Sequence, residues 1–145
     1  MVKVMLLNEK ATLPERASSG AAGYDLRACI NAPIVIKRGE IFPVPTGVAI
    51  ELPSAEFVAM LSARSGLAIR HGITLANGVG IIDSDYRGEI KVGLINLGKE
   101  DFTINPNERI AQMLILPVDV SGLCLSEELS DTERGSGGFG STGRK

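Results

Sequence analysis

Two carboxylates, Asp83 and Asp85, stand two residues apart in the run Asp83-Ser84-Asp85-Tyr86-Arg87-Gly88, at the end of an apolar segment. At that spacing they share a strand face unless a turn rotates one of them away. A carboxylate so placed can orient and deprotonate a water. Ser62-Ala63-Arg64-Ser65-Gly66 offers a different chemistry. It follows an apolar run and opens a candidate helix, where backbone N–H groups bind anions and Arg64 and Ser65 add donors. Asn77-Gly78-Val79-Gly80 carries an amide that can both donate to and accept from a base edge. Ala21-Ala22-Gly23-Tyr24-Asp25-Leu26-Arg27 is a small-residue turn whose carboxylate suits a hard cation, which takes oxygen ligands and keeps waters. The run from Arg134 to Lys145 combines glycines that admit close backbone approach with a guanidinium fork and one aromatic face, Phe139.

Several familiar readings of these segments fail on context. Gly135-x-Gly137-x-x-Gly140 has dinucleotide-fingerprint spacing, but that motif must follow a strand and open a helix, and only five residues remain. The same glycines lack the lysine of a P-loop. Around Ser65 a nucleophile elbow would need glycines where Ala63 and Leu67 stand. His71 reads as a helix-end residue rather than a partner for Ser65. With Cys29, Cys124 and a single histidine the chain has no zinc set of the usual ligands.

The elements that must position these groups are strands. Val48, Ile50 and Leu52 alternate with Ala49 and Glu51; Ile90, Val92 and Leu94 alternate with Glu89, Lys91 and Gly93; Ile34 and Ile36 flank Val35. Period two means one buried face. Phe57–Leu61 and Ile110–Leu116 are apolar on both faces, as expected inside a sandwich or against another subunit. Asn77-Gly78 between Ile73–Leu75 and Ile81–Ile82 predicts a β-hairpin. Ser65–His71 is the one candidate helix. Turn signals recur about every ten residues, which predicts an all-β, antiparallel, jelly-roll-like sandwich. Composition changes near Leu125, so residues 1–125 are expected to form the β domain and 126–145 a flexible glycine-rich arm.

Composition narrows the function classes. Fifteen Lys and Arg against 17 Asp and Glu give a net charge of −2 over 145 residues, without the basic excess of a nucleic-acid footprint. At 44% hydrophobic residues the chain can build a core, and its core is aliphatic, with no Trp, two Tyr and four Phe. No apolar run approaches the roughly 20 residues of a membrane span. The cysteines are expected to be reduced, which suits a cytoplasmic protein. Taken together, the segments supply anion donors, a base-reading turn, a stacking aromatic, a water-activating carboxylate and a cation-facing carboxylate. Such a set suits hydrolysis of a nucleoside triphosphate.

In this order the segments resemble the trimeric-type deoxyuridine triphosphatases. Five motifs carry the resemblance: Ala22-Gly-Tyr-Asp-Leu-Arg27; Arg64-Ser-Gly66; Gly78-Val-Gly-Ile-Ile-Asp-Ser-Asp-Tyr-Arg-Gly88; Glu108-Arg-Ile-Ala-Gln112; and Arg134-Gly-Ser-Gly-Gly-Phe-Gly-Ser-Thr142. It implies a β-clip fold and a homotrimer whose active sites are shared between subunits. It also implies Mg²⁺-dependent hydrolysis of dUTP to dUMP and pyrophosphate by water attack on the α-phosphorus. By the same resemblance Asp83 would position the water, and Asn77 with its backbone neighbours, Gly80 among them, would read uracil. Tyr86 would pack on the deoxyribose and exclude a 2′-OH, with Ile81, Ile82 and Lys91 lining the nucleoside site. Arg64, Ser65, Gly66 and Gln112 would hold the phosphates, and Asp25 would meet Mg²⁺ through water. Arg134, Phe139, Gly140 and Ser141 would close over the nucleotide. Two competing readings are a dCTP deaminase of the same fold and a non-catalytic nucleotide-binding regulator; Asp83 and the complete glycine-rich tail favour phosphate chemistry.

Overall fold

The computed structural model describes residues 1–138. Strands dominate: β1 (Lys3–Leu6), β2 (Tyr24–Arg27), β3 (Ile34–Ile36), β4 (Ile41–Pro45), β5 (Val48–Glu51), β6 (Phe57–Ala63), β7 (Ile73–Leu75), β8 (Gly80–Ile82), β9 (Lys91–Asn96), β10 (Phe102–Ile104) and β11 (Arg109–Pro117), with one helix, α1 (Ser65–His71). Among the described residues every strand pairing is antiparallel. A four-stranded sheet runs β2-β11-β6-β8 and a three-stranded one β4-β9-β7, with the two-stranded ribbons β1-β5 and β3-β10. This is the jelly-roll-like all-β architecture that the turn spacing predicts. No helix among the described residues is long and apolar enough to cross a membrane.

Two of the three period-two segments alternate as expected, around β9 and β3, whereas β5 does not: Ala49, placed on the outer face by the sequence, is buried beside Val48 and Ile50 because its small side chain is covered as well. In β9, Val92 and Leu94 are buried while Lys91 is exposed. They join Leu26, Ile36, Leu61, Ile73, Ile90 and Ile104 in a core of branched aliphatic side chains. Asn96 is fully buried among them. Its Nδ2 donates to the Ile36 carbonyl (2.9 Å) and the Glu100 carbonyl (2.8 Å), and its Oδ1 accepts from Gly98 N–H (2.9 Å), so its polar atoms are satisfied.

One expectation of strand pairing changes at this level. Segments 73–75 and 81–82 do not pair with each other: β7 pairs with β9 and β8 with β6. The Asn77-Gly78 turn therefore carries the chain from one sheet to another, closed by Gly78 N–H donating to Leu75 O at 3.0 Å. Turn chemistry is local, whereas the choice of partner strand is set by distant core contacts. The doubly apolar pair β6 and β11, moreover, is buried on one face only within the chain. Ala59, Leu61, Ala111 and Met113 point into the core, while Val58, Met60, Leu114 and Leu116 are half-buried on the opposite face.

Helix α1 spans Ser65–His71 as expected. It ends on Gly72, whose left-handed conformation (φ 69°) lets its N–H reach the Ala68 carbonyl. A Cβ on Gly72 would run into the backbone of Gly98, and one on Gly98 into the His71 carbonyl. The helix end thus rests backbone against backbone on the loop after β9. His71 packs against Phe102, ring centroids 4.9 Å apart, at the opposite end of the helix from Ser65.

Strand β11 ends at Pro117, ahead of the composition change at Leu125. Val118 N–H still donates to Glu56 O at 2.8 Å. Beyond it no further strand or helix is described, and Leu123, Leu125 and Leu129 are almost fully exposed. Phe139, Gly140 and Ser141 lie outside the described residues.

Candidate active site

A concavity of about 380 Å³ opens beside β8 and is lined by Ile81, Ile82, Asp83, Tyr86, Glu89 and Lys91. Strand β8 delivers its first two residues, and Asp83 follows directly. Tyr86 N–H donates to Asp83 O at 3.2 Å, closing a turn that separates the two carboxylates: Asp83 lines the cavity and Asp85 does not. The Tyr86 hydroxyl donates to the Glu89 carbonyl at 3.0 Å. Its ring lies over Gly88, where a Cβ would run into the ring and hydroxyl. Across the cavity, Lys91 Nζ is 4.0 Å from Glu89 Oε2, and Glu89 Oε1 accepts from Gly47 N–H at 2.8 Å.

A second polar cluster forms at one end of the four-stranded sheet. Asp25 on β2 faces Gln112 on β11, which faces Ser62 on β6, so all three share a sheet face. The Asp25 side chain is only 10% exposed. Arg109 Nη1 donates to Asp25 Oδ2 at 3.1 Å, and Arg64 Nε stands 3.2 Å from Oδ1. The Arg64 Nε–H is not aimed along that line, so the contact is an ion pair without a hydrogen bond. Strict alternation would put Arg109 and Gln112 on opposite faces. A register shift between Arg109 and Ala111 inserts one residue and brings both to Asp25.

The two clusters are distinct within one chain. Ala59 on β6 pairs with Ile82, next to Asp83, whereas Arg64 follows the far end of β6. The five-residue step from Ala59 to Arg64 is about 16 Å of strand. Of the remaining sequence candidates, Ser65 and Gly66 are exposed in the first turn of α1 beside Arg64. Asn77 is exposed at the sheet-crossing turn. Gly80 is buried against Leu61. Arg134 is exposed, its Nε donating to the Gly137 carbonyl at 2.9 Å.

Residue-level reasoning gave no role to Glu89 or Arg109. The first was visible as the residue two before Lys91 on the same strand face. The second depends on an irregularity in β11 that no spacing in the sequence reveals.

The jelly-roll-like scaffold thus sets a carboxylate at an open cavity and a guanidinium pair at one sheet end. Comparison with known proteins gives the family. The family model described as dUTPase matches residues 9–143. The chain belongs to the dUTPase family. A deoxyuridine 5'-triphosphate nucleotidohydrolase of Desulfitobacterium hafniense is 54% identical over 131 residues, 90% of this chain and 87% of the relative. That of Janthinobacterium sp. is 50% identical over 143 residues, covering 99% and 96%. Among solved structures, the Staphylococcus bacteriophage 80alpha dUTPase with dUPNHPP superposes with a TM-score of 0.91 at 28% identity, covering 99% of this chain and 98% of that one. A phage phi11 dUTPase of S. aureus, solved for the coordination of a structural Mg(II) ion, gives 0.79 at 25% identity, covering 88% and 97%.

Proposed function

We propose that this enzyme hydrolyses dUTP to dUMP and pyrophosphate, with Asp83 positioning and deprotonating the attacking water. The observation that carries the reading is that Asp83 lines the same cavity as Ile81, Ile82, Tyr86 and Lys91. That arrangement sets a carboxylate beside an apolar wall, an aromatic ring and a cation. The wall and ring suit a nucleoside, and the carboxylate stands where a water could be held against the innermost phosphate. Attack at the α-phosphorus forms the P–O bond of dUMP, breaks the bond to pyrophosphate and passes the water proton to Asp83. Most of the barrier is lowered by positioning and by charges set out in advance. Asn77 reads uracil together with its backbone neighbours, and Tyr86 excludes a 2′-OH.

The residues present suit a Mg²⁺ ion that arrives with the nucleotide. Among the described residues no group of three or more His, Cys, Asp or Glu gathers to form a cage. Mg²⁺ characteristically keeps waters and takes phosphate oxygens with one or two carboxylates. Asp25 faces two guanidinium groups, yet a carboxylate has about four lone-pair sites, so it can still accept from a metal-bound water. The bound ion would supply charge neutralisation at the phosphate oxygens. Arg64, Ser65, Gly66 and Gln112 donate to the phosphates.

A complete site requires more than one copy. The strand-length gap between Asp83 and Arg64 supports a homotrimer in which one protomer provides the Asp83 cavity and its neighbour the Arg64 cluster. The half-buried face of Met60 and Leu114 suits such an interface. In this reading the arm with Arg134, Phe139, Gly140 and Ser141 closes over the nucleotide, and the enzyme works in the cytoplasm.

The test is pyrophosphate release from dUTP, dCTP, dTTP and UTP, each with and without Mg²⁺, by the native chain and by Asp83→Asn. Selective, Mg²⁺-dependent turnover of dUTP that Asp83→Asn abolishes while still binding nucleotide is the expected result. Near-normal turnover by Asp83→Asn removes the role given to Asp83. Ammonia release from dCTP removes the whole reading.

A further inference from the structure

We infer that Glu89 is a positioning residue that sets sugar selectivity, because it ties the exposed Tyr86 side chain of the cavity to the rigid core. The inference rests on the cavity being the nucleoside site. A carboxylate is a poor neighbour for an anionic nucleotide unless its charge and lone pairs are engaged elsewhere. In Glu89 they are. Oε1 accepts from Gly47 N–H at 2.8 Å, Oε2 stands 4.0 Å from Lys91 Nζ, and the main-chain carbonyl accepts from the Tyr86 hydroxyl at 3.0 Å. The Glu89 side chain is 26% exposed, against 58% for Lys91. Tyr86 as a whole residue is 44% exposed.

The other end of the tie is fixed. Gly47 is buried, and a Cβ there would lie 2.6 Å from Ala11 Cβ and 2.9 Å from Cys29 Sγ. Its carbonyl accepts from Leu7 N–H at 2.8 Å. Neighbouring Thr46 is 1% exposed and donates to the Ile90 carbonyl at 2.6 Å. The turn at Thr46-Gly47 is thus held from three sides, and Glu89 transmits that rigidity to Tyr86. A surface tyrosine that discriminates one hydroxyl on a sugar must be held to a fraction of an ångström, since misplacement of about 1 Å can cost about a hundredfold. Glu89 touches neither base nor phosphate in this scheme; it acts through Tyr86.

The experiment measures kcat and KM for dUTP and UTP, together with melting temperature, for the native chain, Glu89→Gln, Glu89→Ala and Gly88→Ala. Glutamine keeps an acceptor for Gly47, so Glu89→Gln should retain selectivity within about twofold. Glu89→Ala should lower the dUTP-over-UTP ratio of kcat/KM about tenfold, chiefly through KM for dUTP. Gly88→Ala leaves Glu89 in place but pushes the Tyr86 ring off its carbonyl, and should reproduce that loss even if Glu89→Ala does not fold. Native selectivity in either alanine variant overturns the inference, as does Glu89→Gln behaving like Glu89→Ala. A native chain that neither turns over dUTP nor binds its imido analogue refutes the nucleoside-site reading, and the inference with it. A native chain active on dUTP isolates the fate of Glu89.

Discussion

Gly80 on β8 and Leu61 on β6 face each other with no space between them: a Cβ on Gly80 would lie 3.0 Å from Leu61 Cβ and 3.2 Å from its Cγ and Cδ1. Leu61 is 2% exposed and cannot yield without disturbing the core. Gly80→Ala should therefore lower stability by about 1–3 kcal/mol. Urea denaturation reads this directly, and an unchanged midpoint would show that β8 can step away from β6.

Asp25 offers a second measurement. Its carboxylate is nearly buried between Arg64 and Arg109, so Asp25→Asn leaves two guanidinium charges without their counter-charge. The cost should reach about 1–3 kcal/mol, below the 3–5 kcal/mol of a fully enclosed pair because Arg109 is 41% exposed. Arg109→Gln should cost less than Asp25→Asn, for the same reason. Equal urea midpoints for all three proteins would contradict the electrostatic role of the cluster.

Acid should act at the β1–β5 ribbon. The Lys3 ammonium donates to Glu51 at 2.8 Å and, by that hydrogen bond first and its charge second, holds the Glu51 carboxyl below its ordinary value of 4.5. A lowered folded-state pKa means the pair's stabilisation is present above the unfolded value and is lost as pH falls through the folded one. Glu51→Gln should therefore flatten the decline in stability on acidification below about pH 4.5. A native chain and variant with parallel acid limbs would exclude a contribution from this pair.

Removing residues 134–145 should leave the fold intact. Among the described residues, the hydrogen bonds of Arg134, Gly135 and Gly137 are made within the segment 132–137, and β11 has already ended at Pro117. The melting temperature should stay within about 2 °C of the full chain while dUTP turnover falls at least about a hundredfold. Unfolding of the shortened chain, or full turnover by it, would contradict the separation between scaffold and arm.

Where a feature is local, the sequence carries it. Alternation at Ile90–Leu94 marks a strand, and Ser65–His71 stands out as the one candidate helix. Partner choice is not local. The residues of Asn77-Gly78 specify a tight turn, but whether β7 and β8 then pair depends on β9 and β6, which compete for them. The same holds in the site. Asp83 stands out by type and spacing, and Lys91 enters only through the family resemblance. Arg109 reaches Asp25 only because one extra residue is accommodated in β11, and Glu89 matters because of a turn more than forty positions upstream.

The meeting of Gly72 and Gly98 makes α1 a short lever. Its fulcrum is main chain against main chain, braced by the buried Asn96, whose Oδ1 accepts from Gly98 N–H. The seven-residue arm is about 10 Å long, so a 10° error at the pivot would swing the Arg64 end by about 2 Å. Aim at the far tip is thus calibrated by two glycines, Gly72 and Gly98, that meet at the opposite end of the helix.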